Sequence, residues 1–337
     1  MDSAAATRRV IPIATAPTAR HARIQRTRLI ARAAFFALFV FAPVFDLLRY
    51  DLVAGHAWIL GMEWRLGLDG FLAGRIGAME AAGNLFLRLF LPLFGGATLF
   101  LWAAWKWGRV YCGWLCPHFS VVETVNNLMR RASGKPSLWE KAPITPWKPD
   151  GSQLRPDARW WFAVLPAAVG FAFLWAVALL TYLLPPEEVW GNVLRLSPTR
   201  NQALFLTAAT VVLSAEFLFA RHLFCRYACA VGLFQSLAWM GNRDAMVVGF
   251  KRERAADCAT CLPDRSAACE AACPMRLKPR NIKRLMFTCT QCAQCLQACA
   301  TTQAHNPAGP LLEWVSDEAA RQNEAGFRSQ WPHGSRG

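Results

Sequence analysis

Four stretches of this chain are apolar, and each approaches the ~20 residues that a helix needs to cross a bilayer. They predict membrane spans at residues 33–48, 89–105, 160–184 and 203–223. Within hydrocarbon every backbone amide must find its partner inside the segment, so the pattern implies helices rather than open strands. The first stretch is interrupted late by Pro43 and Asp46; the second lies between Arg88 and Lys106. No formal charge falls between Trp160 and Pro186, where Pro185 and Pro186 supply a stop. Glu216 is an acid inside the fourth stretch.

The polar segments between these stretches alternate in sign. Arg8, Arg9, Arg20, Arg23, Arg26, Arg28 and Arg32 precede the first, and Asp51, Glu63, Asp69 and Glu80 follow it. Bases return at Arg109, Arg130, Arg131, Lys135, Lys141 and Lys148, give way to Glu187 and Glu188, and return at Arg221, Arg226, Lys251, Arg252 and Arg254. Cytoplasmic flanks retain Lys and Arg, so both termini are expected in the cytoplasm, with the protein in a bacterial inner membrane and residues 1–32 as a basic arm. The Arg8-Arg9 pair also fits an export signal, but the apolar stretch starts far from it, which favours an uncleaved anchor. Residues 58–79, apolar with scattered charges, read as an interfacial helix or a further embedded segment. Proline-rich residues 133–159 read as a polar crossing, and 306–337 as a polar surface tail with one short helix near 311–320.

A net charge of +15 on a chain that is 54% hydrophobic raises nucleic acid as a partner. The bases, however, flank long apolar runs instead of alternating with exposed aromatics, which argues against it.

The twelve cysteines add chemistry, because none precedes Cys112 and eight crowd between Cys258 and Cys299. Disulfide frameworks compensate for small cores, which this chain does not lack, and in a reducing cytosol clustered thiols are available for metal. Cys289, Cys292, Cys295 and Cys299 have the C-x2-C-x2-C-x3-C spacing in which three thiolates cap one cubane and the fourth reaches another. A single zinc is the alternative, less suited to so tight a run. Upstream, Cys258, Cys261, Cys269 and Cys273 precede Pro274 in a similar run with a widened middle loop. Exchange of the last ligand assigns Cys258, Cys261, Cys269 and Cys299 to one 4Fe-4S cluster and Cys273, Cys289, Cys292 and Cys295 to a second. The widened loop leaves a 3Fe-4S first cluster open; eight cysteines favour two 4Fe-4S clusters. The expected architecture is mainly α: a membrane helical bundle over 33–240, then a small two-cluster ferredoxin-like α+β domain over 241–305.

Two further pairs, Cys112 with Cys116 and Cys225 with Cys229, follow the second and fourth stretches. Their i, i+4 spacing puts each pair on one face if the helices continue. Aromatic residues recur around them, Tyr111 and Trp114 in one and Phe224 and Tyr227 in the other, which hints at a duplicated helical hairpin. The thiols either pack as buried apolar groups or bind a soft metal such as copper, or a third metal site. Glu216 serves as a proton relay for a quinone or pairs with Arg221. His118 and His222 read as helix-end polar residues before metal or haem ligands.

Across residues 88–300 the segments Gly108-Arg-Val-Tyr-Cys-Gly-Trp-Leu-Cys-Pro117, Phe224-Cys-Arg-Tyr-Ala-Cys229 and Phe234-Gln-Ser236, followed by the ferredoxin cysteines, resemble the cytochrome c oxidase accessory proteins of the CcoG type. The chain is more distantly similar to the NapH-type membrane ferredoxin subunit of nitrate reductase systems. The resemblance implies a small membrane bundle with a cytoplasmic two-cluster ferredoxin. The accessory proteins imply Cu(II) reduction for oxidase metallation, with cytochrome c oxidase or its assembly factors as partners and Cys112, Cys116, Cys225 and Cys229 as copper thiolates. The nitrate reductase subunit implies relay between the quinone pool and a redox partner protein. Ala230 stands where both families usually have proline, and the accessory family's extra immunoglobulin-like domain is not expected in the segment after Cys299. The leading expectation is an iron–sulfur electron carrier. Copper reductase, quinol-linked relay and redox sensor are its alternatives.

Overall fold

A computed structural model describes residues 19–141 and 143–329. The Arg8-Arg9 pair and the end of the polar tail lie outside the described residues. Helix α1 (Ala19–Phe41) opens the fold, but it stops short of the expected residue 48. Pro43 lacks an amide proton to continue the ladder, and the chain turns into strand β1 (Leu48–Asp51), where Arg49 pairs with Asp46 and Asp51. Strands β2 (His56–Ile59) and β3 (Met62–Trp64) complete an antiparallel meander. The two-residue turn Leu60-Gly61 has φ of 52° and 77°, the pair of positive values that matches the twist of a tight hairpin. Residues 58–79 are therefore not an interfacial helix: they hold strand, the short α2 (Asp69–Leu72) and the start of the next helix. The Tyr50 and Leu52 amides donate to the carbonyls of Tyr182 and Leu183, which ties the meander to the chain leaving the third apolar segment.

Among the described residues three helices are long and apolar enough to cross a membrane: Ala78–Trp107, Ala158–Thr181 and Arg200–Ala220. The first comprises α3 (Ala78–Leu85), a π turn over Phe86–Phe90 and α4 (Leu91–Trp107). After it come α5 (Val110–Trp114), α6 (Pro117–Ser133), α7 (Trp161–Thr181) and α8 (Pro186–Leu194). Helix α9 (Arg200–Ala215) begins at a capping box between Thr199 and Gln202 and ends in a π turn over Glu216–Ala220. A second π turn, Phe224–Ala228, leads into α10 (Ala230–Gly241).

Helix α6 runs beside α7, where Val121, Val122, Val125 and Met129 pack on Val164, Ala168 and Ala172. Small residues on α7 let the helices approach closely. Helix α9 lies on the same helix, and α4 pairs with α10. Leu91, Leu93, Phe94, Leu99 and Trp102 of α4 stay exposed, an apolar face of the kind lipid covers. Helix α1 differs from the three long helices because its first half carries arginines. Arg28 and Arg32 are buried and share Glu123 of α6, at 2.5 Å and 3.1 Å.

The cysteine-rich unit begins at β4 (Val247–Phe250) and holds α11 (Ala268–Ala271) and α12 (Gln294–Thr302). The tail, expected as a polar surface segment, instead supplies β5 (Leu312–Val315), antiparallel to β4, and α13 (Asp317–Ser329). Leu311 and Leu312 are buried against the unit's core, which is why the chain pairs there.

Candidate iron–sulfur sites

The eight C-terminal cysteines sit around two cavities. Cys258, Cys261, Cys269 and Cys299 line one, together with Phe250, Arg280 and Leu311. Cys273, Cys289, Cys292 and Cys295 line the other, beneath Met275, Leu277 and Met286. Both are narrow, about 10 Å³ in the first and about 20 Å³ in the second. The upstream and downstream runs thus exchange one cysteine apiece, because α12 carries Cys299 a full turn beyond Cys295 and away from the loop that holds its neighbours. Among the described residues no three His, Cys, Asp or Glu side chains converge as ligands of a single ion do. The thiols ring a volume instead of a point, a donor set that fits a sulfide-bridged cluster.

The loop before α12 has left-handed backbone at Gln291 (φ 52°) and Ala293 (φ 59°), a conformation costly for residues with a Cβ and held here by tertiary contacts. Trp314 Nε1 donates to Gln291 Oε1 at 3.0 Å, and Gln291 Nε2 donates to the Met246 carbonyl at 3.3 Å. Backbone amides also point at sulfur: Leu277 N–H reaches Cys273 Sγ at 3.3 Å and Leu311 N–H reaches Cys299 Sγ at 3.4 Å. Such bonds stabilise a thiolate and tune a bound cluster. Burial pushes the Cys269 and Cys289 thiols up to about 12 and Cys273 up to about 11. Metal binding at these three thiols must therefore displace protons.

The second cavity's loop sits on the layer formed by α1, α5, α6 and α10. A Cβ on Gly113 would strike the Thr290 carbonyl, so glycine is what lets α5 and the loop meet. Trp114 Nε1 donates to the Gln291 carbonyl at 3.0 Å, Gln25 to the Cys292 carbonyl at 3.0 Å, and Ser236 to the Phe287 carbonyl at 2.8 Å. Gln294 adds a bond to Glu123 at 2.6 Å, joining α12 to the buried Arg28–Glu123–Arg32 group.

The helix-end cysteines do not lie on continuous helices. Gly108 (φ 72°) ends α4, and the pairs straddle a break: Cys112 lies in α5 while Cys116 caps α6, and Cys225 lies in a π turn while Cys229 caps α10. The same closure recurs, with the Cys116 amide on the Tyr111 carbonyl and the Cys229 amide on the Phe224 carbonyl, both at 2.9 Å. Ala230 in place of proline leaves this unchanged, since the first helical position needs no amide donor.

Arg109 joins the two halves. Its guanidinium donates to the Cys225 carbonyl at 2.8 Å and to Cys112 Sγ at 3.8 Å, lying where a Cβ on Gly232 would be. Gln235 Nε2 also donates to Cys112 Sγ, at 3.4 Å. The four thiols are near enough for the charge on Cys112 and Cys116 to raise Cys225, and for Cys112 and Cys229 to raise Cys116, though burial is the larger cause for both. Cys116 is pushed up to about 11.

Glu216 does not pair with Arg221. It meets His118 Nε2 at 3.0 Å, while Arg221 pairs with Glu140 at 3.1 Å. His222 stacks on Phe119, with ring centroids 4.5 Å apart. Arg109 and Gln235 stand in segments that carry the family resemblance, but nothing in the sequence assigns a role to them or to Arg280, and only packing places them at these sites.

These sites define a class, a membrane-associated protein that binds iron–sulfur clusters. A family model described as a 4Fe-4S binding domain matches residues 89–136 and 201–245, and each match contains one helix-end cysteine pair. Over 284 residues the chain is 24% identical to "Putative electron transport protein YccM" of Escherichia coli (strain K12), covering 80% of this chain and 68% of that protein. No solved structure matches. Together these support an iron–sulfur electron-transfer role.

Proposed function

We propose that the chain carries electrons through two 4Fe-4S clusters at the cytoplasmic face of a bacterial inner membrane. Cys258, Cys261, Cys269 and Cys299 hold one cluster, and Cys273, Cys289, Cys292 and Cys295 the other. One observation carries this reading: each cavity is lined by four cysteines, with one of the four contributed by the other run. A bound cluster supplies a reversible one-electron centre with little demand on protein conformation. The chain's own groups exclude water, present thiolates and aim amides at sulfur. Alternating basic flanks support the cytoplasmic side and four crossings, with α1 as the fourth. The docking of the Cys289–Cys295 loop on α5 and α10 supports exchange between the cysteine-rich unit and the membrane layer, with the quinone pool or a partner redox protein beyond. Anaerobically purified protein is expected to hold about eight iron and eight sulfide per chain, with paramagnetic signals on reduction. A folded, colourless, iron-free protein overturns the reading.

A second reading rests on the helix-end thiols. Arg109 links the two helix-end pairs through Cys112 Sγ and the Cys225 carbonyl, and soft thiolates select Cu(I). One electron from the cysteine-rich unit then reduces Cu(II) to Cu(I) there, as an oxidase assembly factor requires. Copper titration tests it: tight Cu(I) binding is expected, lost when Cys112 and Cys225 become Ser together.

A further inference from the structure

One roomy cavity lies outside the two four-cysteine pockets and touches only Cys273 of their eight thiols. About 740 Å³ opens between α1, α6, the proline-rich crossing and the start of the Cys273-Pro274 loop, a volume suited to a small organic ligand. Six cationic side chains reach it, Arg28, Arg32, Arg130, Arg131, Lys148 and Arg221, against two acids, Glu123 and Asp150. Arg28 and Arg32 already share Glu123, and Arg221 holds Glu140. Among the described residues, Arg130 has only the Thr145 carbonyl as a hydrogen-bond partner, at 3.1 Å.

The polar atoms facing this space are unusual for an interior. Arg130 Nε, Arg221 Nε, both side-chain polar atoms of Asn126 and both nitrogens of His222 are buried without a hydrogen-bond partner among the described residues. His222 is 4% exposed and Asn126 6%. Leaving buried donors unmatched costs free energy unless a ligand meets them. Burial and the nearby Arg221 guanidinium both lower the proton affinity of Arg130. A neutral quinone headgroup would accept hydrogen bonds but leave this like-charge pair uncompensated. An acceptor-rich anion answers both features, and Leu29, Leu128 and Leu154 leave room for an organic body.

We propose that this cavity is a phosphate-binding site that takes a phosphate-bearing small molecule, with Arg130, Arg221, Asn126 and His222 as its donors. The same chemistry is offered by a soluble phosphate ester and by an anionic phospholipid headgroup. Arg221 also donates to the Cys273 carbonyl at 3.4 Å, so occupancy reports on the loop beside the second cysteine set.

The test is arginine labelling of the delipidated, cluster-loaded protein with phenylglyoxal, read by mass spectrometry at matched ionic strength. Phosphate or pyrophosphate is expected to slow modification of Arg130, with exposed Arg195 as the internal control. Protection by inorganic phosphate identifies a soluble ester as the source; protection only by phosphatidylglycerol nanodiscs identifies a lipid. In calorimetry Arg130→Gln weakens binding of the protecting species about tenfold, the loss of one charge-assisted bond. Iron content should be unchanged in that variant, so the result stands apart from the cluster reading. Equal Arg130 labelling in chloride, phosphate, pyrophosphate and phosphatidylglycerol nanodiscs overturns the proposal, and this measurement needs no variant to fold.

Discussion

Eight cysteines and four cysteines within one molecule are organised in different ways. The eight ring two cavities on short loops, with amides directed at sulfur and Arg280 lining the first. The four come from two copies of a helix break, and an arginine stands at the join. Thiols close in sequence can surround a cluster with loop geometry alone. Thiols from two hairpins meet only if the hairpins pack, and the same packing brings in Arg109 and Gln235, which stabilise a thiolate at Cys112.

The sharpest way to break this contrast is to remove one cysteine from each set. Cys289→Ser is expected to cost about half of the bound iron, whereas Cys112→Ser leaves iron content unchanged; metal analysis decides. Equal losses would mean that the helix-end thiols also hold iron. The next largest effect concerns the contact between the cysteine-rich unit and the helices it sits on. Glu123→Ala strands the buried guanidiniums of Arg28 and Arg32 and frees Gln294, and is expected to destabilise the fold by about 3–5 kcal/mol in chemical denaturation. Gly113→Ala forces a methyl group against the Thr290 carbonyl, costs about 1–3 kcal/mol and loosens the loop of the second cavity, which should broaden the signal of only that cluster.

The smallest effect is a pH slope. Burial, with Arg221 and His118 nearby, holds His222 well below the ordinary imidazole range. The unfolded chain therefore takes up a proton that the folded chain refuses, so stability should fall as pH drops below about 6.5. Thermal midpoints in phosphate-free buffer at neutral and mildly acidic pH measure this, and His222→Gln should flatten the slope.

Much of the site was legible because its chemistry is local. The spacing of Cys289, Cys292 and Cys295 is too tight for unrelated roles, and their sulfurs do share a cavity. The aromatic repeat around Cys112 and Cys225 marked a duplicated unit, and the two hairpins close with the same hydrogen bond. The reading failed where short-range pattern and long-range pairing compete. Residues 58–79 looked like an amphipathic helix, but a Leu-Gly turn and pairing with β1 made strands of their first part. Glu216 looked like a partner for Arg221 five residues on, but a π turn and a backbone with φ of 50° at Arg221 sent the two side chains apart.

By itself the amino-acid order determined where apolar segments begin and end, the sign of the charge beside each, and which thiols lie within a few residues of one another. These follow from hydropathy and covalent spacing, which need no partner. Tertiary structure alone decided that Arg28 and Arg32 share one glutamate, that the tail adds a strand beneath Cys299, that Arg109 joins the two hairpins, and that a donor-lined cavity opens beside Cys273. Each depends on side chains far apart in the chain meeting in a buried place, where desolvation makes a charge or donor seek whatever neighbour the packing provides.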